Sequence, residues 1–312
     1  MKELLGKPVA DKIKEEVKTI IEEKEYAPTL ACIIASADPA SETYFNAKKN
    51  LFEEVGINIR LERIGIADYS VLNEKTKKQA DRLVYQEIYG KILRLNADPT
   101  VHGIMLQLPI DADVDVLALK TWIDPIKDVD CVSPKSIYSL YSNIHYTDID
   151  CTRPCISKAV TEILDYYKIP IEGKNVLIVG RSTNTAKPIL HEMINRDAMV
   201  TVVHSKIDQS KYENLYCNEA DIIISCVGRA KFLDLPPKKD ATLIDIGYNF
   251  DENDKPCGDF NIEKIKKSGF NGNYTPVPKG IGPVTTALSM KNLVERYATQ
   301  QMHSLISTLN DR

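Results

Sequence analysis

Ser41, Tyr44 and Lys48 stand at i, i+3 and i+7 within residues 38–48. In a helix this spacing lines a hydroxyl, a phenol and an amine along one face, and Asp38 or Ser41 is of a type that caps such a helix. Set beside a strand end, the three could handle protons. The plainer alternative is a half-buried Tyr44 and a solvated Lys48. Gln107 interrupts an apolar run just before Pro109. It is either a satisfied core amide or a side chain aimed into the crevice at the carboxyl end of a strand, where open α/β sheets bind ligands. Asp128 and Asp130 share a loop in which no further oxygen ligands follow at calcium-loop offsets. Metal binding, helix capping and holding a cationic substrate stay open for these acids.

A second set of residues suits a dinucleotide. Gly180-Arg-Ser-Thr-Asn-Thr-Ala186 follows an apolar run and keeps only the first glycine of GxGxxG. Phosphate is expected where a helix starts after such a turn. His204 and Ser205 stand after the next run, where a reader of the ribose 2′-hydroxyl would be Asp or Glu. With Arg181 they offer a cation and a hydroxyl, which suit a 2′-phosphate and favour NADP over NAD. The alternative is a solvated arginine and a turn-forming serine. Residues 273–286 form a proline- and glycine-rich loop that would let backbone amides approach a flat ligand closely.

The elements that must position these residues follow from periodicity. Residues 3–24 read as amphipathic helix, 29–35, 56–64 and 101–110 as strands, and 73–95 as a helix between the last two. Residues 135–153 read as a connection out of this first domain. After a helix near 157–167, strands at 173–180, 199–203, 220–228 and 241–247 alternate with glycine turns and a helix near 185–196. A last helix near 286–306 is expected to return to the first domain. The pattern predicts an α/β protein with two domains, a parallel α/β catalytic domain and a Rossmann-like dinucleotide-binding domain.

Composition narrows the function classes. The chain has 312 residues, 43% hydrophobic and 27% charged, with a formal net charge of −4. That length allows two cores, and that charge argues against a dedicated nucleic-acid binder. No stretch has the length of a signal-peptide core or a membrane span, so a soluble, non-membrane protein is expected. Seven cysteines form no CxxC pair, which points to reduced thiols in a cytoplasmic protein. No residue set demands a metal.

Seven segments in order resemble the methylenetetrahydrofolate dehydrogenase/methenyltetrahydrofolate cyclohydrolase (FolD-type) family over nearly the whole chain. They are Ser41-x-x-Tyr44-x-x-x-Lys48, Asn96-Ala-Asp-Pro99, His102-Gly-Ile-x-x-Gln107-Leu-Pro109, Lys127-Asp-Val-Asp130, Gly180-Arg-Ser182, His204-Ser205 and Thr275-Pro-Val-Pro278…Gly282-Pro283. The resemblance implies a bifunctional enzyme of one-carbon folate metabolism serving purine biosynthesis, with tetrahydrofolate derivatives as substrates and NADP as cofactor. Lys48 would carry the cyclohydrolase step with Tyr44 and Gln107 in support. Asp130 would hold the pterin ring, with Ser41, Pro278 and Gly282 in the same pocket. Arg181 and Ser205 would contact the 2′-phosphate, and Gly180, Ser182, His204, Val227, Gly228 and Ile246 the rest of the cofactor. The implied domains are 1–150 completed by 284–312, and 151–283, and the implied assembly is a homodimer through the cofactor domains.

The residue types fit that chemistry. Hydride loss from the methylene carbon leaves a delocalised cation, so positioning dominates over acid–base work. Hydrolysis of the methenyl group needs an activated water, which a desolvated lysine tuned downward could supply. The departures are Cys131 where the family usually has glycine, Thr185-Ala186 in place of a Val-Gly pair, Lys279 in the proline–glycine loop, and Pro154-Cys-Ile-Ser-Lys-Ala159 in place of Pro-Cys-Thr-Pro-x-Gly. They leave two rivals: an enzyme keeping only the cyclohydrolase activity, and a non-catalytic folate or nucleotide binder.

Overall fold

The computed structural model describes residues 1–36, 39–66, 72–143 and 153–310, with the side chains of 39–44, 47, 307, 308 and 310 outside the description. The chain divides into two compact units. One holds residues 13–139 and 289–310; the other holds 1–12, 140–143 and 153–288.

In chain order the elements are β1 (Lys2–Glu3), α1 (Gly6–Lys24), β2 (Thr29–Ile34), α2 (Pro39–Glu54), β3 (Asn58–Arg63), α3 (Glu74–Ala97) and β4 (Gly103–Leu106). Then come α4 (Val116–Thr121), α5 (Pro134–Ser142), α6 (Cys155–Tyr166), β5 (Asn175–Val179), α7 (Ala186–Asn195), β6 (Met199–Val203), β7 (Ile222–Ser225) and β8 (Thr242–Asp245). The chain ends with β9 (Asn249–Phe250), β10 (Pro256–Cys257), α8 (Ile262–Lys267), β11 (Asn273–Tyr274) and α9 (Ile281–Asn310).

The first unit is built on a parallel sheet of order β3-β2-β4. β2 is an apolar run whose last five residues are buried, as a central strand covered on both faces must be. Ile33, Ile88, Ile92, Ile104 and Leu119 share its core, each contributing about 1.5–3 kcal/mol by leaving water. α3 begins where Asn73 Oδ1 accepts the Thr76 N–H at 3.0 Å, an N-cap of the usual kind. From Ser289 onward α9 belongs to this unit. There Asn292 donates to Val129 O at 2.9 Å and Gln300 to His102 O at 2.8 Å, so the last helix does return to the first sheet.

The second unit has a six-stranded, all-parallel sheet of order β1-β11-β8-β7-β5-β6. Strand order reverses at β5, which makes the carboxyl ends of β5 and β7 the place for a ligand. A β9–β10 hairpin lies outside the sheet.

Three expectations change. The sequence reading starts the first domain at residue 1, yet β1 pairs with β11 and residues 1–12 belong to the dinucleotide unit. Two residues are too few to show a period, and the pairing is set by Lys2 and Leu4 N–H donation to Gly272 and Tyr274 carbonyls. The supposed connection at 135–153 begins as a helix, α5, whose Ser136 and Ser139 are buried; the part beyond residue 143 lies outside the described residues. The last helix starts at Ile281, within the proline–glycine loop, rather than near 286.

Candidate active site

Lys48 lies on α2, two turns past the segment that follows β2. Its Nζ donates to Gln107 Oε1 at 3.0 Å and to Met105 Sδ at 3.6 Å. Gln107 is buried just beyond β4, where its backbone N–H donates to Ile33 O on β2. Its own Nε2 donates to Leu108 O at 2.7 Å. That bond fixes the amide and turns Oε1 toward the lysine, so the core amide and the positioned side chain are one and the same. Ser41 and Tyr44 lie on α2 as well, but their side chains lie outside the described residues, as does Asp38.

Asp130 sits on the loop after the Ile104–Asp128 bridge and pairs with Lys120 Nζ at 3.2 Å. It shares an electrostatic neighbourhood with Lys48. Burial pushes the Cys32 thiol up to about 12, Lys48 pulls it down and Asp130 adds to the rise. Lys48 and Gln107 therefore meet at the carboxyl end of β4, and Lys48 and Asp130 both act on the Cys32 thiol of β2. Asp128 beside them is a structural acid. It accepts the Ser133 N–H at 2.6 Å, and burial, reinforced by the charge of Asp130, raises its pKa.

Other residues of the recognised segments prove to be scaffold. Lys127 is buried and donates to Leu95 O and Asp98 O at 2.9 and 2.7 Å, closing the end of α3. Asn96 donates to Trp122 O and accepts from Asp124 N. His102 Nδ1 accepts the Thr29 N–H at 3.1 Å and its ring meets Tyr297 edge-on. A Cβ on Gly103 would fall 2.5 Å from side-chain atoms of Leu293 and Val129, so only glycine fits. Cys131 has φ 56°, the left-handed region that favours glycine. Its sulfur accepts from Asn292 Nδ2 at 3.3 Å and Arg296 Nη2 at 3.8 Å, both on α9.

In the second unit a cavity of about 480 Å³ opens at the carboxyl ends of β5, β6 and β7. Gly180, Arg181, Ser182, His204, Ser205 and Val227 all line it. Gly180 has φ +124°, and a Cβ there would lie 2.5 Å from Cys226 O, so the turn is bare of side chain by necessity. Ser182 Oγ accepts the Thr185 N–H at 3.1 Å and meets the Thr185 hydroxyl; it braces the turn ahead of α7 as well as lining the cavity. His204 Nδ1 accepts the Lys206 N–H at 3.3 Å. Gly228 has φ +70°. Ile246 donates its N–H to Ser225 O and does not line this cavity. Pro278 and Gly282, assigned by resemblance to the folate pocket, belong to this second unit and are exposed.

Several lining residues escaped the sequence reading, among them Tyr212, Arg229 and Phe232, the last two stacked with the guanidinium 4.5 Å from the ring centre. For Arg229 and Phe232 the available signal was position, after the Val227-Gly228 turn. Ala186, in place of a glycine, is buried as the first residue of α7. The Lys279 side chain is exposed while its carbonyl accepts the Gly6 N–H at 2.8 Å. A further cavity of about 360 Å³, among Lys2, Tyr167, Lys174 and Asp221 at the opposite ends of these strands, holds none of the assigned residues. Among the described residues no group of three or more His, Cys, Asp or Glu is placed to hold a metal, and no helix is long and apolar enough to cross a membrane.

Comparison with known proteins agrees with both halves. The catalytic-domain model of tetrahydrofolate dehydrogenase/cyclohydrolase matches residues 4–130, and the NAD(P)-binding-domain model matches residues 154–301. The bifunctional protein FolD of Methanoculleus marisnigri is 38% identical over 291 residues, covering 92% of this chain and 93% of the relative. The crystal structure of the bifunctional FolD methylenetetrahydrofolate dehydrogenase/cyclohydrolase of Campylobacter jejuni, 31% identical, superposes with a TM-score of 0.81 over 96% of this chain and 99% of its own. The Trypanosoma brucei FolD, crystallised with NADP cofactor and inhibitor, is 25% identical with a TM-score of 0.77 over 94% of each chain. The chain belongs to the tetrahydrofolate dehydrogenase/cyclohydrolase family.

Proposed function

We infer that this protein oxidises 5,10-methylenetetrahydrofolate to 5,10-methenyltetrahydrofolate with NADP and hydrolyses the product to 10-formyltetrahydrofolate. In a member of this family, the observation that carries the reading is the Lys48 Nζ–Gln107 Oε1 contact of 3.0 Å at the strand ends.

In the hydrolytic step the carbon stays on N10, so the bond that breaks is carbon to N5. Lys48, in its neutral form, takes one proton from the attacking water and returns it to N5 as that bond opens. The remaining hydroxyl proton leaves to solvent as the formyl C=O forms, so the cationic methenyl group ends as a neutral formyl group and one released proton. Gln107 holds Nζ in place without adding charge, its amide locked by the Leu108 carbonyl. Asp130, with Lys120 on one oxygen, offers its remaining lone pairs to the pterin N–H groups. Ser41, Tyr44, Pro278 and Gly282 are proposed as further substrate-binding residues, as the family resemblance assigns them. The folate half is thus built on residues 13–139 and the last helix, and the cofactor half on 153–288.

The residues of the second unit fit a phosphorylated dinucleotide. The bare Gly180 turn leaves room for a pyrophosphate, Arg181 and Ser205 offer charge and hydroxyl to a 2′-phosphate, and Val227 lines the next rim, with Gly228 proposed beside it. Bound there, NADP supplies the hydride acceptor. Ala186 packs inside, and Lys279 is held by its backbone. We further propose a homodimer through the cofactor-binding halves and a cytoplasmic location; sedimentation of the purified protein checks the assembly.

The test is a spectrophotometric assay of purified protein with methylenetetrahydrofolate plus NADP or NAD, and with methenyltetrahydrofolate alone. Reduction of NADP together with hydrolysis of the methenyl substrate is expected. Hydrolysis without reduction would reduce the protein to a cyclohydrolase, and binding without either reaction would make it a carrier.

A further inference from the structure

Asp245 and Asp259 are among the buried acids that the mechanism above leaves unused. Asp259 is fully buried and its carboxylate accepts five hydrogen bonds. Oδ2 takes Ser225 Oγ at 2.7 Å and the N–H groups of Val227 and Gly228 at 2.8 and 3.2 Å. Oδ1 takes the Arg229 N–H at 2.9 Å and Asn249 Nδ2 at 3.0 Å. One side chain therefore holds three consecutive peptide N–H groups, and Val227 and Arg229 line the dinucleotide cavity. Asp245 anchors Asp259 in turn: its Oδ1 accepts the Asp259 N–H at 3.0 Å and its Oδ2 the Phe260 N–H at 3.0 Å.

Two glycines exist to make room for this arrangement. A Cβ on Gly247 would fall 2.1 Å from Asp259 Oδ1, and one on Gly258 would fall 2.0 Å from Asp245 Oδ2. Neither carboxylate has a lysine or arginine among its hydrogen-bond partners in the described residues. A buried anion without a cation is costly, and a sheet turn could be closed without one. Burial and the neighbouring Asp259 raise Asp245 to about 7, so the cost falls on this pair. A fixed carboxylate achieves what a turn alone does not: it freezes the loop from behind before a ligand arrives on its other side.

We propose that Asp259 is a positioning residue of the dehydrogenase reaction, its carboxylate preorganising the 227–229 backbone that forms one wall of the NADP site. The inference rests on the NADP-dependent reading above. The three peptide groups are consecutive, so losing the acceptor frees the whole wall rather than one atom of it. Folate chemistry at Lys48 draws on the other unit and does not use this wall.

The experiment measures three quantities in wild type and variants: NADP binding by calorimetry, kcat and KM for NADP, and hydrolysis of the methenyl substrate. Asp259→Asn turns an amide donor toward donors, and KM and Kd for NADP are expected to rise about tenfold or more while hydrolysis stays within about twofold. Ser225→Ala removes one bond and should raise KM about threefold, which keeps the proposal testable if Asp259→Asn fails to fold. Asp259→Asn combined with Asn249→Asp lets the new amide donate to a carboxylate and should recover most of the lost affinity. Unchanged NADP binding in folded Asp259→Asn, or equal loss of both activities and of melting temperature in Ser225→Ala, would overturn the proposal. A wild type that neither binds nor reduces NADP would instead overturn the function from which it starts.

Discussion

The two halves of this protein hold their chemistry in opposite ways. At the folate half, side chains do the work and other side chains hold them: Lys48 rests on Gln107, and Gln107 is locked by a carbonyl one residue along. At the dinucleotide half the backbone forms the wall, and buried carboxylates and glycines shape it, as at Gly180 and Asp259. A site made of side chains fails when one functional group is removed. A site made of backbone fails when an atom is added or a supporting anion is lost. The same enzyme should therefore be separable into its two activities by opposite kinds of substitution.

The largest expected separation is at Lys48. Lys48→Met keeps the aliphatic stem and removes the amine, and hydrolysis of the methenyl substrate should fall about 10²- to 10⁴-fold, the usual worth of a general base. Steady-state hydrolysis by a variant of unchanged melting temperature checks it. Gly180→Ala works in the other half by adding one methyl where φ is +124° and Cys226 O is 2.5 Å from the new Cβ. Strain of about 1–3 kcal/mol should appear as a fivefold to hundredfold loss of NADP affinity by calorimetry, with hydrolysis intact. Arg181→Ala should cost less, about tenfold in NADP affinity with little change for NAD, because the guanidinium is exposed and partly screened. Equal losses for both cofactors would remove Arg181 from the 2′-phosphate.

A further effect is one of pH and is read in stability rather than activity. The folded-state pKa of Asp245 is raised to about 7 from its ordinary 3.8. A carboxyl raised in this way contributes stability in full below about pH 4, and that contribution is lost as pH climbs through about 7. Measured against Asp245→Asn, whose amide does not titrate, wild type should lose relative stability over this window by at most about 1.4 kcal/mol per pH unit. A difference that stays flat from pH 4 to 7 would mean that the Asp245 carboxyl ionises normally.

This contrast also decides what could be read from the sequence. The strands were legible because β2, β5 and β7 are apolar runs bounded by turns, and the parallel class followed from their alternation with helices. Lys48 was legible from its helical spacing with Ser41 and Tyr44, and Gln107 as a polar residue at a strand end, though their contact was not. Lys127, Asn96 and His102 sit in the same recognisable segments but hold the scaffold, so a recognised segment does not by itself mark a ligand contact. Asp259 stayed hidden because its partners are peptide groups at 225–229 and Asn249, and Gly258-Asp259 reads locally as a turn. β1 stayed hidden because its two residues take their structure from β11, more than 260 positions away.

One chain carries two consecutive reactions, and the two are expected to rest on separable sets of residues. The direct measurement is to give Lys48→Met methylenetetrahydrofolate and NADP, following NADPH and the methenyl compound together. NADPH formation is expected, with the methenyl compound accumulating instead of being opened. Full conversion to 10-formyltetrahydrofolate by the folded variant, or loss of NADPH formation along with hydrolysis, would contradict it.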